Sequence, residues 1–389
     1  MDSSTVALKE LSFLEEGGRV VDGDPAVGRF IAVPPVGAVV IRALRDGATV
    51  GEAAAAAERV AGEPVDVAAF VETLRKVGFV DDESPEGGHR TAAVHLSGWR
   101  SGPLFRPLFG RVAWTCYGLS YVAVAVAFAW DPGLMPRPSD AFVSDDVGLS
   151  LVVFLALTTL STAVHECWHW LAAAAAGVPA RFGVDRRLYF VVFETDLSQL
   201  WRLPRRGRYG PVLAGLAVDG VVLAALTGAL AAAGAGLWAP SPWVLALVRG
   251  LLLAKLLTVG WQAMVFLRTD LYAVLVIATG TLNLWRVKTL LLRRALRRLD
   301  AEGRADLDRA NPRDLAVGAW FRWVWLAGFA VAAAYLVGFY VPAAAVVVRY
   351  VLDGLAAGPG APSFWYAAVV AALVLWPHVA VVVAPLRRR

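Results

Sequence analysis

The chain has 389 residues, of which 58% are hydrophobic and only 18% charged, with a mean hydropathy of +0.58. A soluble domain of average composition carries about 25% charge, so this composition excludes an ordinary water-soluble globule and implies a membrane protein. The net charge of +5 comes from arginines bunched beside apolar runs. That pattern reads as membrane topology and not as a nucleic-acid surface, so no nucleic-acid partner is expected.

The first 85 residues read as a small soluble α+β domain. The start, Met1-Asp2-Ser3-Ser4, is polar, so no cleavable signal peptide is predicted and the first internal span is expected to direct insertion. Residues 18–22 and 29–33 read as short strands, each ending in turn residues: Asp22-Gly23-Asp24-Pro25 and Pro34-Pro35. Thr49 followed by Glu52 has capping-box spacing in front of an Ala-rich helix over 50–61. A second helix follows Asp66, with Val67, Phe70, Val71 and Leu74 at helical spacing. Gly78 ends it before the extended pair Phe79-Val80. Strands followed by small helices suggest a winged-helix-like module. Residues 86–111 read as a linker, in which His89 and His95 are expected to be solvated.

Six apolar runs follow, at 112–130, 148–177, 211–238, 242–267, 317–348 and 364–385. Each approaches or exceeds the roughly 20 residues that a helix needs to cross a bilayer. The predicted architecture is therefore a multi-pass α-helical membrane protein of about six spans, with a small N-terminal domain. The loop after the first run is acidic, with Asp131, Asp140, Asp145 and Asp146. The segments 181–208, 286–313 and 387–389 are rich in arginine. In a six-span arrangement every arginine-rich segment falls on one side, which the positive-inside rule makes cytoplasmic, together with both termini. Trp114, Trp130, Trp320, Trp323 and Trp325 lie near span ends and read as interfacial anchors. Cys116 and Cys167 read as buried free thiols, and His378 as a structural residue of the last span. Arg293, Arg294, Arg297 and Arg298 are expected to form a membrane-surface patch.

The sharpest signal is His165-Glu166-Cys167-Trp168-His169, inside the second apolar run. Histidines at i and i+4 share one helix face, so both imidazoles can reach one metal ion. The glutamate between them is placed to act on a metal-held water without ligating the metal. With five histidines in the chain, a chance H-E-x-x-H arises on the order of a few times per thousand such chains. Ionisable groups inside a bilayer are costly, which favours a functional site over a merely structural polar cluster. A membrane di-iron oxidase also uses His-x-x-x-His pairs, but needs more histidines than this chain holds.

The motif continues as Trp170-Leu171-Ala172-Ala173, then Gly177-Val178. It is followed by Thr195-Asp196-Leu197-Ser198-Gln199-Leu200-Trp201-Arg202-Leu203-Pro204, by Ala214-Gly215, and by Leu267-Arg268-Thr269-Asp270-Leu271-Tyr272 with Asn283-Leu284. In this order the segments, over about residues 110–300, resemble the site-2 protease family of membrane-embedded zinc peptidases. The likeness is greatest to the peptide zinc metalloproteases encoded near genes for ribosomally made, modified peptides. The N-terminal domain resembles the peptide-binding winged helix that some members carry. The resemblance implies a zinc metalloprotease core at about 148–285, with Zn2+ held by His165, His169 and Asp270 and with Glu166 as the catalytic base. It also implies a peptide or membrane-associated protein substrate, with a leader peptide docking on the N-terminal domain. Leu271 replaces the family's glycine, and Met264-Val265 stand where an asparagine-proline is usual.

The third ligand is open between two aspartates. Asp270 matches the family segment, yet six uninterrupted spans would leave it at the cytoplasmic rim. Asp219 lies nine residues into the third run, about 14 Å of helix and near the depth of the histidines. A fourth span broken near Gly260 or Asp270 would bring Asp270 inward, because broken helices are tolerated where they line a cavity. Asp219 would then pair with Lys255, a mid-membrane cation in need of a partner. A non-catalytic membrane protein that binds or helps export a modified peptide is the alternative function.

Overall fold

The computed structural model describes Val6, Leu8 and residues 12–16, 19–24, 29–76, 79–80, 102–187, 190–197, 200–201 and 203–386. His89 and His95 therefore lie outside the described residues, as does the side chain of His378.

The N-terminal unit begins with an antiparallel meander of β1 (Ser12–Glu16), β2 (Arg19–Asp24) and β3 (Arg29–Val33). Ser12 pairs with Gly23 and Val20 with Val33. Three helices follow: α1 (Pro35–Arg45), α2 (Val50–Ala61) and α3 (Val67–Lys76). The capping box is present, with Glu52 N–H donating to Thr49 Oγ1 at 3.2 Å and Thr49 N–H to Glu52 Oε2 at 2.8 Å. The Thr49 amide and hydroxyl hold the Glu52 carboxyl below its ordinary value. Asp66 caps α3 by accepting from Ala69 N–H at 2.9 Å. The apolar stripe of α3 (Val67, Val71, Leu74) is buried against Val40, Ile41 and Leu44 of α1, and Phe79 closes this small core. Strand β1 is an addition to the two strands predicted. The expected winged-helix-like module is not supported: the three strands form an N-terminal meander, and among the described residues no hairpin that could serve as a wing follows the helices of this unit. After α3, the described residues pair with the N-terminus only through a Leu8–Val80 bridge.

Part of the expected linker is helical, as α4 (Gly102–Phe105) and a 3-10 turn over Arg106–Phe109. Tyr117 O–H donates to Leu108 O at 2.9 Å and ties this turn to the first span. The membrane part then runs through α5 (Arg111–Trp130), α6 (Val147–Ala175), a hairpin of β4 (Arg181–Arg187) and β5 (Phe190–Asp196), α7 (Arg205–Gly234) and α8 (Pro242–Gln262). It continues with α9 (Asp270–Thr279), α10 (Leu284–Ala295), α11 (Ala301–Asp308) and α12 (Pro312–Tyr335). A π-helical stretch, Leu336–Tyr340, leads to α13 (Val341–Ala356), and α14 (Pro362–Leu386) follows.

Five helices are long and apolar enough to cross a membrane: α5, α6, α7, α8 and α12 with its π-helical extension to Gly338. The number becomes six if α9 and α10, which meet at 90°, count as one broken span. The sixth predicted run falls in α14, whose described apolar part, Pro362–Val374, is shorter. The fourth run ends earlier than predicted, at Gln262 instead of 267. A 3-10 turn over Val265–Leu267 and a left-handed Arg268 (φ 60°) separate it from α9.

Large apolar side chains such as Leu119, Val122, Val126, Leu160 and Val331 face outward, as lipid-facing positions do. Half of the apolar stretch of α7 is buried, against 11–22% in the other four spans, which makes α7 the central helix. It packs against α5, α6, α8 and α9. Lipid offers no hydrophobic force between helices, so close approach through small residues takes its place. Gly220 of α7 illustrates this: Tyr121 of α5 packs over it and donates its hydroxyl to Leu216 O at 2.7 Å.

Candidate metal centre

His165 and His169 point from one face of α6 toward α7 and are 2% exposed. Their ring centroids are 4.8 Å apart and their Nε2 atoms 3.1 Å apart. Asp270 Oδ2 lies 3.0 Å from His165 Nε2 and 3.1 Å from His169 Nε2. The three atoms thus form a nearly equilateral triangle.

The opposite ring nitrogens fix the protons. His169 Nδ1 lies 2.7 Å from Pro211 O, a carbonyl that can only accept, so Nδ1 carries the hydrogen. His165 Nδ1 lies 2.7 Å from Asp219 Oδ2, which assigns its hydrogen to Nδ1 in the same way. In the neutral form with its hydrogen on Nδ1, the form that ligates a metal, each ring turns a bare Nε2 lone pair inward, toward the other and toward a carboxylate oxygen. In that form three acceptors lie 3.0–3.1 Å apart and repel one another until a cation, a metal ion or a shared proton, sits among them. The donors on a tetrahedral zinc are about 3.3 Å apart, so the triangle fits that ion with a slight opening. The outward bonds from Nδ1 are the orienting contacts that metal-binding imidazoles use.

Glu166 is half-buried beside the pair. One ligand atom from each of His165, Glu166 and His169 can be chosen so that all lie within 4.8 Å of one another. Among the described residues, Asp270 and not Glu166 is within hydrogen-bonding distance of both Nε2 atoms. The Thr195 hydroxyl, on β5, reaches Glu166 Oε2 at 2.8 Å and Glu166 O at 3.0 Å. This leaves Glu166 Oε1 without a bond among the described residues.

The break after α8 brings Asp270 to this depth. Arg268, in the left-handed region, turns the chain, and Asp270 becomes the first residue of α9. Gln262 holds the turn at both ends: its carbonyl accepts from Thr269 Oγ1 at 2.8 Å, and its Oε1 accepts from Asp270 N–H at 3.0 Å. That second bond orients the amide, so the Gln262 NH2 faces the centre, 3.3 Å from His165 Nε2. Gln262 was not among the predicted residues. A polar side chain at the end of an apolar run, eight residues before Asp270, was the available signal.

The two aspartates occupy opposite sides of His165. Asp219 is fully buried on the Nδ1 side, where its other oxygen pairs with Lys255 Nζ. Lys255 also donates to Ser161 O at 3.0 Å. The Asp219–Lys255 pair expected from the sequence is thus present, together with a contact from Asp219 to His165 that was not foreseen. A uniform helix for the fourth run was the assumption that put Asp270 at the rim.

Gly215 of α7 lies directly beneath the histidines. A Cβ at this position would overlap both Nε2 atoms, so only glycine lets the central helix approach the pair this closely. Comparison with protein-family models, with curated proteins and with solved structures finds no match for the chain.

Proposed function

We propose that this chain is a membrane-embedded zinc metallopeptidase, with His165, His169 and Asp270 holding the ion and Glu166 moving the proton. The observation that carries this is the triangle of His165 Nε2, His169 Nε2 and Asp270 Oδ2 at 3.0–3.1 Å, with a carboxylate at its edge and an open side. Asp270 is 24% exposed while both histidines are closed off, so access is from the Asp270 side. Zinc bound there would supply a Lewis acid that polarises a carbonyl and makes water acidic near neutral pH.

The chain's own groups supply the remainder. Glu166 Oε1 takes a proton from the attacking water and returns it to the leaving amine. The Thr195 hydroxyl holds the other carboxylate oxygen and fixes the group's direction. The Gln262 NH2 is aimed to donate to the oxygen of the scissile carbonyl, where negative charge develops. A substrate helix must unwind locally to present a peptide bond, because its carbonyls are otherwise hydrogen-bonded. The resemblance to site-2 proteases supports a peptide or membrane-associated protein as substrate. The arginine distribution supports cytoplasmic termini.

Elemental analysis of purified protein beside a peptide-cleavage assay tests this. One zinc per chain is expected, lost in His165→Ala and in His169→Ala together with cleavage. Near-stoichiometric metal in both variants would remove the site assignment. Metal without any cleavage would favour a non-catalytic, peptide-binding role.

Gly215→Ala gives a second test. In an ordinary helix this change is favourable by up to about 1 kcal/mol. Here the added methyl would enter the space of both Nε2 atoms, so metal content should fall steeply while helix content by circular dichroism stays unchanged. Full zinc loading of Gly215→Ala would show that α7 can retreat, and that its close approach is not required.

A further inference from the structure

We infer that Arg205 and Arg313 converge over Gly280 to form a binding site for a phosphate group, supplied by an anionic phospholipid headgroup. The inference is independent of the metal centre. Gly280 follows α9 in the left-handed conformation (φ 65°), which leaves a notch between the start of α7 and the start of α12. The nearest atoms that a methyl on Gly280 would meet are Arg313 Nη1 at 3.4 Å and Arg205 Nη1 at 3.6 Å. Both nitrogens lie close to one point, so they are at most about 7 Å apart. A phosphate accepting one charge-assisted bond of about 2.8 Å from each bridges such a gap.

Among the described residues, neither guanidinium has a carboxylate partner. Arg205 Nε donates to Ile277 O at 2.6 Å and its Nη2 to Ala278 O, which closes the C-terminus of α9 and leaves Nη1 directed at the notch. The nearby carboxylate, Asp314, accepts instead from the amides of Leu282 and Asn283, at 2.9 and 3.3 Å. Two guanidinium cations held this close repel one another, and an anion bonded to both relieves this. Arginine is also the residue whose planar fork matches phosphate geometry.

The position favours a lipid as the source. The first residues of α7 and α12 and the last of α9 meet here, so the notch lies where helices end at the membrane boundary. Arg205 and Arg313 belong to the arginine-rich segments 181–208 and 286–313, and basic segments of this kind attract anionic leaflets. The site also has a mechanical reach. α9 spans about 15 Å from the notch to Asp270, so a phosphate that braces one end steadies the carboxylate at the other.

The test uses the full chain in detergent, with phosphatidylglycerol or phosphatidylcholine added back, and native mass spectrometry to count retained lipid. Retention of phosphatidylglycerol should exceed that of phosphatidylcholine, and Arg313→Gln should reduce it by about tenfold or more. Arg59→Gln, an exposed basic residue on α2 of the N-terminal unit, should leave it unchanged. Arg313→Lys keeps the charge and guards against misfolding, and should retain an intermediate amount. Displacement of the lipid by millimolar inorganic phosphate would support the site and identify phosphate itself as sufficient. Equal retention by wild type and Arg313→Gln, or an equal loss in Arg59→Gln, would overturn it.

Discussion

Glu166→Gln is expected to keep about one zinc per chain while lowering the turnover of peptide cleavage by roughly two to four orders of magnitude. The amide has nearly the same shape as the carboxylate, and its oxygen can still accept from the Thr195 hydroxyl, which in the wild type reaches Oε2 at 2.8 Å. The triangle of His165, His169 and Asp270 is not touched. What disappears is a group that can accept a proton and give it back. A loss confined to turnover, with zinc content and melting temperature preserved, would separate proton transfer from metal binding. An active Glu166→Gln protein would assign the proton to another group, or remove the peptidase proposal.

The second large effect separates the two aspartates that the sequence left in competition. Asp270→Asn should empty the centre and abolish cleavage while the protein stays folded. It removes the carboxylate that lies 3.0 and 3.1 Å from the two Nε2 atoms. Asp219→Asn acts on the other side of the same imidazole. There it strips the buried Lys255, 1% exposed, of its counter-ion. Breaking a buried pair by removing one partner typically costs about 3–5 kcal/mol, so the principal loss should be in thermal stability. Metal should be retained, though bound more weakly, because an asparagine oxygen can still accept from His165 Nδ1. Adding Lys255→Met to Asp219→Asn should recover part of the stability, since no unmatched cation then remains. Thermal melts followed by tryptophan fluorescence, with zinc measured on the same samples, read both quantities. If Asp219→Asn loses zinc completely while Asp270→Asn stays loaded, the ligand and the orienting residue have been assigned the wrong way round.

The sequence by itself determined what local composition and spacing control. The apolar runs of five spans, the capping box at Thr49 and Glu52, and a His-Glu-x-x-His face on one helix are properties of segments shorter than about 30 residues. Their physics is periodicity and burial, which a single strand of text displays. The need of Lys255 for an acid was also legible, because a lone cation in an apolar run must find a partner.

Three things were decided only by tertiary structure. The hairpin β4–β5 lies in a segment whose arginines drew attention to topology, although Phe190-Val191-Val192-Phe193 carries strand-forming residues. Its Thr195 reaches Glu166, 29 positions away. The break between Gln262 and Asp270 depends on a side chain bonding the backbone across the turn, and hydropathy averages over such a kink. The placement of Asp219 and Asp270 about His165 follows neither from depth nor from order along the chain. Both carboxylates touch His165, one at each ring nitrogen. Which nitrogen faces the centre follows from what lies behind the rings: Pro211 O for His169 and the Asp219–Lys255 pair for His165. Those contacts join residues 42 to 54 positions apart, and only the packing of α7 against α6 through Gly215 brings them together.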